Sequence, residues 1–325
     1  MSGGSSKAMF GTHEFNFLGL SFKALELSDR ELVEPILRAH PQPLTGFTFA
    51  SLAAWNSSFH YAFHLDEARA RLVLSFGNPR TNERHLLQPI GRISDADTAA
   101  LLEAGKALAY PLRIVGVSPP FLEAHPAIAR DFACEQSRES ANYVYRTEDL
   151  AHLRGKRLSK KRNLIAQARR LYEWRVEPLD AGMAEACRAL VRQIVAEESP
   201  VVDDSLEREM AALDFTLRHF EALDQRGIAL LIDGELAAFA IFEVVGGQMA
   251  IIHFERALRR FKGLYQVVNQ QTAQAIEALG VPLINREEDL GEPGLRQAKL
   301  SYQPLRLEPS LMLTLRPMGG EGLAY

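Results

Sequence analysis

The chain has 325 residues, 47% hydrophobic and 24% charged, a composition typical of soluble globular proteins with room for two domains. Its 37 basic and 41 acidic side chains give a net charge of −4, which excludes a protein that binds nucleic acid over its whole surface. The two cysteines, Cys134 and Cys187, fit no metal or redox spacing, and no apolar run approaches the roughly 20 residues of a membrane span. We therefore expect a cytoplasmic protein without a transmembrane segment.

The first half of the chain alternates predicted strands and helices. Residues 1–8 are rich in glycine and serine, which indicates a disordered tail or a cloning remnant. A turn at Asp66–Glu67 predicts a strand pair, and a further strand is predicted over 142–145. We place a first domain at 9–150 and a second at 151–325, although no Pro/Gly/Ser-rich linker separates them.

Residues 151–175 form the strongest charge feature, with nine Lys or Arg residues and the single acid Glu173. Apolar residues at helical spacing predict an amphipathic helix that leaves Lys160, Lys161 and Arg162 directed to solvent or to a partner. Clustered cations neutralise phosphates and release counterions, so the segment indicates a partner such as a transfer RNA or a nucleotide cofactor. The other interpretation is an ordinary solvated helix.

The second half predicts a sheet in the order helix, helix, strand, strand, strand, loop, helix, strand, helix, strand. The first three strands are predicted over 228–232, 236–245 and 249–254, with glycine-containing turns at both junctions. Gly263 lies in the loop, and the helix after it ends at Gly280. A short helix over 294–302 precedes the last strand.

Polar side chains collect where the strand that starts at Val281 should leave the sheet. They are Asn285, Arg286, Glu287, Glu288 and Asp289. In open α/β sheets ligands bind beyond the carboxyl ends of strands, so this segment predicts a site. On the strand before the loop, His253 and Glu255 alternate and should point to one face. The simpler interpretations are a charged loop and a satisfied pair at the sheet edge.

This order of elements resembles the GNAT acyltransferase fold, in which the loop before the helix presents backbone amides to a pyrophosphate. The GNAT loop reads Q/R-x-x-G-x-G/A. Here Arg260 and Gly263 match, whereas Tyr265 replaces the small second residue. The resemblance implies that Arg260, Lys262, Gly263 and Tyr265 bind the donor, and it makes acetyl-CoA one candidate donor.

Four stretches resemble a soluble family related to the C-terminal domain of phosphatidylglycerol lysyltransferase. They are FTFASLAAW at 47–55, LRGKRLSKKRNLI at 153–165, IIHFERA with KGLYQVVNQ within 251–270, and INREEDLGEPGLRQAKLSYQP at 284–304. This resemblance implies an α/β fold of two tandem GNAT-like domains, each with a mixed, mostly antiparallel sheet flanked by helices, the first domain being degenerate. It also implies transfer of an aminoacyl group from aminoacylated transfer RNA to an amine or hydroxyl, without a metal.

Acyl transfer needs an oriented acceptor, a group that takes its proton, and donors to the developing oxyanion. We assign His253, Glu255 and Asp289 to catalysis. The predicted substrate-binding residues are Asn285, Arg286, Glu288, Lys299 and Tyr302, and the predicted donor-binding residues include Lys160, Lys161 and Arg162, with Glu209 and Asp203 as weaker candidates. The acceptor would be a small or lipid-like molecule. Two alternatives stay open, an acetyl-CoA-dependent N-acetyltransferase and a non-catalytic module that binds a cationic small molecule or peptide.

Overall fold

The computed structural model of the chain describes residues 13–78, 81–198 and 204–315. The predicted tail at 1–8 and the candidate Asp203 lie outside these ranges. The described chain separates into two compact units, unit 1 with residues 13–138 and 309–315 and unit 2 with residues 139–308. The division thus comes earlier than the 150 suggested by a sequence that lacks a linker, and the end of the chain returns to unit 1.

Unit 1 is built on an antiparallel meander. Its strands are β1 (Glu14–Phe17), β2 (Leu20–Ala24), β3 (Ala62–Asp66), β4 (Arg71–Asn78), β5 (Glu83–Leu87) and β6 (Arg113–Val117). Its helices are α1 (Arg30–Ala39), α2 (Phe49–Ala54), α3 (Asn56–Phe59), α4 (Asp95–Lys106), α5 (Pro119–Ala124) and α6 (Pro126–Asp131). Neighbouring strands from β1 to β5 are antiparallel, whereas β5 and β6 are parallel and are connected through α4.

Unit 2 repeats this arrangement. The remaining strands are β7 (Phe132–Arg146), β8 (Trp174–Pro178), β9 (Arg226–Ile232), β10 (Glu235–Val245), β11 (Met249–Ala257), β12 (Leu283–Asn285) and β13 (Arg306–Leu315). The helices are α7 (Thr147–His152), α8 (Ser159–Leu171), α9 (Ala184–Glu198), α10 (Asp204–Arg218), α11 (Leu264–Ala278) and α12 (Pro293–Leu300). The sheet of unit 2 has the order β7-β12-β11-β10-β9-β8, in which only β11 and β12 are parallel.

Each unit therefore contains three antiparallel strands, a helix, and a strand that returns parallel to the third. These elements are β3, β4, β5, α4 and β6 in unit 1, and β9, β10, β11, α11 and β12 in unit 2. The predicted strand pair around Asp66–Glu67 and the predicted order of elements in the second half are confirmed.

The cores follow from apolar residues on the inner faces of these sheets. In unit 2, β10 is buried from Ala237 to Phe242, and α9 and α11 pack against it. In unit 1, residues 309–315 of β13 pair antiparallel with β6, which brings Leu313 and Leu315 into the core with Ile114. Within the described residues, no helix is both long and apolar enough to cross a lipid bilayer.

Candidate functional site

The candidate site lies in unit 2, where the segment 285–289 leaves the carboxyl end of β12. β7 continues beside the segment, because the Arg286 N–H donates to the Tyr143 carbonyl (2.9 Å) and the Tyr143 N–H donates to the Glu287 carbonyl (3.1 Å). The Asn285 Oδ1 atom accepts from the Glu287 N–H (2.8 Å), which supports the left-handed φ of 58° at Glu287. The backbone of the segment is therefore held from both sides.

His253 occupies a β-bulge in β11. Ile241 pairs with Phe254, whereas the next residue, Phe242, pairs with Ile252, so His253 has no partner in the ladder. A bulge re-aims the side chain of the extra residue, and bulges are common beside active sites. The regular alternation expected along this strand is thus interrupted at the histidine.

The His253 side chain lies between two carboxylates. Its Nδ1 atom is 2.9 Å from Glu287 Oε1 and its Nε2 atom is 2.8 Å from Glu243 Oε1. Burial alone lowers the pKa of an imidazole, but the hydrogen bonds and negative charges of Glu243 and Glu287 outweigh it and raise the pKa of His253 to about 10. At neutral pH His253 is a cation with both N–H groups donated, so it cannot accept a proton.

Asp289 is fully buried, with 0% of its side chain exposed. Arg296 donates to both carboxylate oxygens, from Nε (2.9 Å) and Nη2 (2.8 Å), and the Tyr143 hydroxyl (2.5 Å) and the Gly291 N–H (3.0 Å) add two more hydrogen bonds. The hydrogen bonds from Arg296 are the main cause that holds the pKa of Asp289 well below its usual range. Asp289 therefore anchors α12 and β7 to the segment as a permanent anion.

Glu255 is also bound on both oxygens. Its Oε1 atom accepts from Arg286 Nη2 (3.0 Å) and its Oε2 atom from Asn269 Nδ2 (3.2 Å). Within the described part of the chain, the buried side-chain oxygen of Asn269 has no hydrogen-bond partner. The two predicted acids and the histidine are thus brought to one strand end, but each has its hydrogen-bonding capacity engaged by neighbours.

Glu288 and Lys299 differ from these residues in having pKa values close to neutral pH. Burial, followed by the negative charge of Glu287, raises the pKa of the Glu288 carboxyl to about 7. Burial, followed by the positive charge of Arg286, lowers the pKa of the Lys299 amine to about 8. Asn142 Nδ2 donates to Glu288 Oε2 (3.3 Å), and Lys299 Nζ donates to the backbone carbonyls of Arg286 (2.6 Å) and Glu288. Two groups that titrate near neutral pH therefore meet at the strand end.

Tyr302, which follows α12, is also part of the candidate site and is buried. Lys161 Nζ lies 4.2 Å from the centre of its ring, and the Arg286 guanidinium lies 5.2 Å from it. The Tyr145 hydroxyl donates to the Lys299 carbonyl (2.8 Å), which fixes the end of α12. Burial raises the pKa of both phenols above the ordinary range, so both hydroxyls stay protonated.

The three consecutive cations of α8 have different environments. Lys160 is exposed, Lys161 is half-buried over Tyr302, and Arg162 is exposed. Arg162 Nη1 donates to the carbonyls of Leu153 and Gly155 (2.7 Å for the latter), so its guanidinium closes the turn after α7. Of the three, only Lys160 combines exposure with the absence of an ion pair or hydrogen bond to the described residues.

The loop before α11 is closed by packing. Gly263 has a φ of +86°, and a Cβ atom there would lie 2.5 Å from the Leu164 carbonyl oxygen of α8. The Leu264 N–H donates to the Phe261 carbonyl and the Gln266 N–H to the Gly263 carbonyl, both at 3.1 Å. These helix-start amides are therefore bonded within the chain, where the GNAT resemblance implies a pyrophosphate.

The other loop residues surround this closed turn. Arg260 Nη1 lies 3.5 Å from Glu197 Oε1, Lys262 is exposed, and Tyr265 is half-buried in the first turn of α11. Glu209, a weaker candidate, is an ion-pair partner of Arg256. The loop thus adds two exposed cations, Arg260, which lies near Glu197, and Lys262.

Sequence reasoning missed several residues that organise the site. They are Asn142, Tyr143, Tyr145, Glu243, Asn269, Glu287 and Arg296. Glu287 lies within the polar segment and Arg296 in the following helix α12, so the sequence shows their charges but not their roles. The polar and aromatic residues of β7 could have been suspected from their run at 142–145. No metal site joins them, since the described residues hold no group of three or more His, Cys, Asp or Glu able to bind an ion.

A sequence model described as phosphatidylglycerol lysyltransferase, C-terminal, matches residues 40–314, which is more than half of the chain. The chain belongs to this family. No match is found among curated proteins. The family membership that the four sequence stretches predict is therefore confirmed.

Solved structures share the fold of this chain. A conserved protein of unknown function from Bacteroides thetaiotaomicron VPI-5482 is 28% identical with a TM-score of 0.82, covering 91% of this chain and 99% of that chain. L-PGS from Bacillus licheniformis is 14% identical with a TM-score of 0.61, covering 91% and 93%. FemX is 10% identical with a TM-score of 0.58, covering 90% and 96%.

The family and these likenesses establish the fold class. The chain is a mixed α/β protein of two tandem GNAT-like units, each with a mostly antiparallel sheet flanked by helices, as predicted. The fold is that of an aminoacyl- or acyltransferase-like family.

Proposed function

We propose that this protein is an aminoacyltransferase that moves an aminoacyl group from a charged transfer RNA to an amine or hydroxyl of a small or lipid-like acceptor. The supporting observation is the pair Glu288 and Lys299, whose pKa values of about 7 and about 8 differ from those of ordinary carboxyl and amine groups. Titratable groups shifted toward neutral pH at a strand end are typical of acid–base catalysis.

In this proposal Glu288 takes the proton of the acceptor. The acceptor nitrogen or oxygen attacks the carbonyl carbon of the aminoacyl ester and forms a tetrahedral intermediate, while its proton passes to the Glu288 carboxylate. The ammonium group of Lys299 stabilises the oxyanion. The bond from this carbon to the ribose oxygen then breaks, and the Glu288 carboxyl returns the proton to that oxygen.

The predicted catalytic residues His253, Glu255 and Asp289 hold this machinery in place. His253 and Asn285 fix Glu287 in its left-handed conformation, Glu255 fixes the Arg286 side chain, and Asp289 fixes α12, which carries Lys299. A general base must be available to accept a proton, and in these three residues both imidazole nitrogens or both carboxylate oxygens already take part in hydrogen bonds. We therefore propose them as positioning residues.

The loop before α11 bears on whether the donor is aminoacylated transfer RNA or acetyl-CoA. An acyl-CoA pyrophosphate needs free amides at the helix start and space for close approach, but the Leu264 amide is bonded and Gly263 packs on Leu164. The exposed cations Lys160 and Lys262 can instead contact the phosphates of a longer nucleic acid. These features favour aminoacylated transfer RNA over acetyl-CoA.

A non-catalytic module for cationic ligands is less well supported. Such a module needs carboxylates that are free to bind an ammonium group. Here Glu243, Glu287 and Glu255 face His253 and Arg286 at 2.8–3.0 Å. His253 and Arg286 therefore already occupy oxygens of these three carboxylates, which makes them less available to the ammonium group of an external ligand.

The proposal is tested by binding and by transfer. The full chain is titrated with aminoacylated transfer RNA, uncharged transfer RNA and acetyl-CoA at two salt concentrations, and loss of radiolabelled amino acid from the RNA is followed in the presence of a mixture of amines and lipids. We expect salt-sensitive RNA binding and transfer that Glu288→Gln removes. Saturable acetyl-CoA binding with no transfer from RNA would overturn the proposal.

A matched pair of double variants checks the donor surface. Lys160→Ala with Lys262→Ala should lower the affinity for RNA. It should also reduce the slope of log binding constant against log salt concentration by about 2, since each phosphate contact contributes about one unit. Arg192→Ala with Arg226→Ala removes the same charge from exposed positions on α9 and β9. Equal losses in both double variants would mean that the RNA follows net charge and not this surface.

A further inference from the structure

Lys161 and Arg286 place two positive charges on one aromatic ring. Lys161 Nζ is 4.2 Å and Arg286 Cζ is 5.2 Å from the centre of the Tyr302 ring. Lys161 comes from α8 and Arg286 from the end of β12, so elements distant in sequence bring the charges together. Cations are attracted to a phenol ring, but two cations on one ring also repel each other.

The negative charge at this point does not balance the cations. Arg286 has one carboxylate partner, Glu255, which it reaches through Nη2 only, so the other donors of the guanidinium fork have no protein acceptor among the described residues. Lys161 has no ion pair in the same part of the chain. Burial, followed by the charge of Arg286, lowers the pKa of the Lys161 amine, which is the response of a cation without a counter-ion.

Desolvated cations are normally paired or neutralised, and the half-buried Lys161 has no carboxylate partner among the described residues, so an anion that both side chains can reach would balance the charge. The remaining N–H groups of Arg286 offer a planar fork and Lys161 offers a single charge, a combination that suits phosphate oxygens. The adjoining Tyr302 ring supplies a flat surface at the same place.

We propose that Lys161, Arg286 and Tyr302 form a subsite for one phosphate group of a nucleotide, distinct from the exposed cations that contact the rest of the donor. The subsite rests on the proposed function in that the phosphate would belong to the terminal nucleotide of the RNA. By holding the phosphate that is nearest to the aminoacyl ester, the subsite would place the ester beside Glu288.

The subsite is tested with small probes on the full chain. Binding of 5′-AMP, adenosine and inorganic phosphate is followed by NMR titration for the unaltered protein, Lys161→Met, Lys161→Arg and Arg170→Met. Methionine keeps the length of the lysine stem without its charge, and Arg170 is an exposed cation of the same helix. Thermal unfolding of each variant checks that the fold is kept.

We expect the unaltered protein to bind 5′-AMP at least tenfold more tightly than adenosine. Lys161→Met should lose this difference, a tenfold to hundredfold fall that corresponds to one charge-assisted contact of about 1.5–3 kcal/mol. Lys161→Arg should keep most of it, and Arg170→Met should bind within about twofold of the unaltered protein on the usual scale for exposed charges. Equal affinities for 5′-AMP and adenosine, or equal effects of Lys161→Met and Arg170→Met, would overturn the subsite.

The outcome also separates the two proposals. If 5′-AMP binding depends on Lys161 while charged transfer RNA donates nothing, the subsite stands and the proposed function falls. If charged transfer RNA is a donor while Lys161→Met changes neither 5′-AMP binding nor RNA affinity, the function stands and the subsite falls.

Discussion

The two units end their equivalent parallel strands in different ways. β6 ends at Val117 and is followed by Ser118 and two prolines, and the Ser118 N–H and hydroxyl both donate to Gln88 Oε1 (2.8 and 3.0 Å). β12 ends at Asn285 and is followed by four consecutive ionisable residues. One fold therefore supports a neutral, satisfied strand end in unit 1 and a charged one in unit 2.

The helices that precede these strands also differ in charge, at their first turns. At the start of α4, Ser94 and Asp97 form a reciprocal capping box, and Asp95 adds a second acid to the first turn. The first turn of α11 has no acid and follows Lys262. Acids at a helix start repel phosphates, so the start of α4 is unsuited to a phosphate, whereas the exposed Lys262 before α11 fits the donor contact that we propose for unit 2.

The largest expected effect concerns the charged strand end of unit 2. Glu288→Gln should lower kcat for aminoacyl transfer by about 10²–10⁴, the usual contribution of a general base, with little change in thermal stability. Glu292→Gln changes the same functional group at the exposed residue before α12 and should stay within about twofold of the unaltered enzyme, as exposed substitutions usually do. Steady-state transfer assays measure both, and unchanged turnover in Glu288→Gln would remove it as the base.

The second prediction concerns the loop before α11. Gly263→Ala should destabilise the protein by about 3 kcal/mol, because a left-handed residue acquires a side chain that meets the α8 backbone. Gly280→Ala is the control, since its φ of +75° is similar but no atom lies within 4 Å of the added carbon, and it should cost about 1 kcal/mol. Urea unfolding of both variants gives the difference. Similar losses would show that backbone conformation alone requires the glycine.

A smaller effect is expected at the strand end of unit 1. Gln88→Ala leaves the buried N–H and hydroxyl of Ser118 without their acceptor, so the free energy of unfolding should fall by about 1–3 kcal/mol. Transfer activity at temperatures well below unfolding should not change. A loss of kcat under conditions in which all of the variant is folded would mean that unit 1 takes part in the reaction.

The smallest effect is a pH dependence. Glu288 acts as the base only when ionised, so the rate should rise with pH through about 7. Lys299 stabilises the oxyanion only when protonated, so the rate should fall as pH rises through about 8. Single-turnover transfer between pH 6 and 9 should therefore give a bell, and Glu288→Gln should lose its acidic limb. A flat profile up to pH 9 would exclude both assignments.

The sequence predicts much of the fold of unit 2 because hydrophobic alternation and glycine turns act locally. Strands predicted over 236–245 and 249–254 are found at Glu235–Val245 and Met249–Ala257, and the short helix after the strand end is found at Pro293–Leu300. The candidate segment 285–289 is also visible in the sequence, because its polar residues interrupt an apolar strand, and its role as a functional site stays a prediction.

The roles within the site could not be read in the same way. The bulge that frees His253 depends on pairing with β10, and the partner Glu243 lies ten positions earlier on that strand. Glu288 and Asp289 are adjacent acids, yet one has a pKa of about 7 and the other a pKa well below normal, because Arg296 and Tyr143 reach only Asp289. Such differences arise from tertiary neighbours, which the composition of a segment does not specify.

The return of β13 to unit 1 affects the order in which the protein is made. Residues 309–315 are synthesised after all of unit 2, although Leu313 and Leu315 belong to the core of unit 1. Domains generally fold as they emerge from the ribosome, so unit 2 can be complete while β6 still lacks its antiparallel partner and the core of unit 1 still lacks two leucines. The first unit to begin synthesis is thus the last to finish folding, and a chain that stops after residue 308 leaves it permanently unfinished.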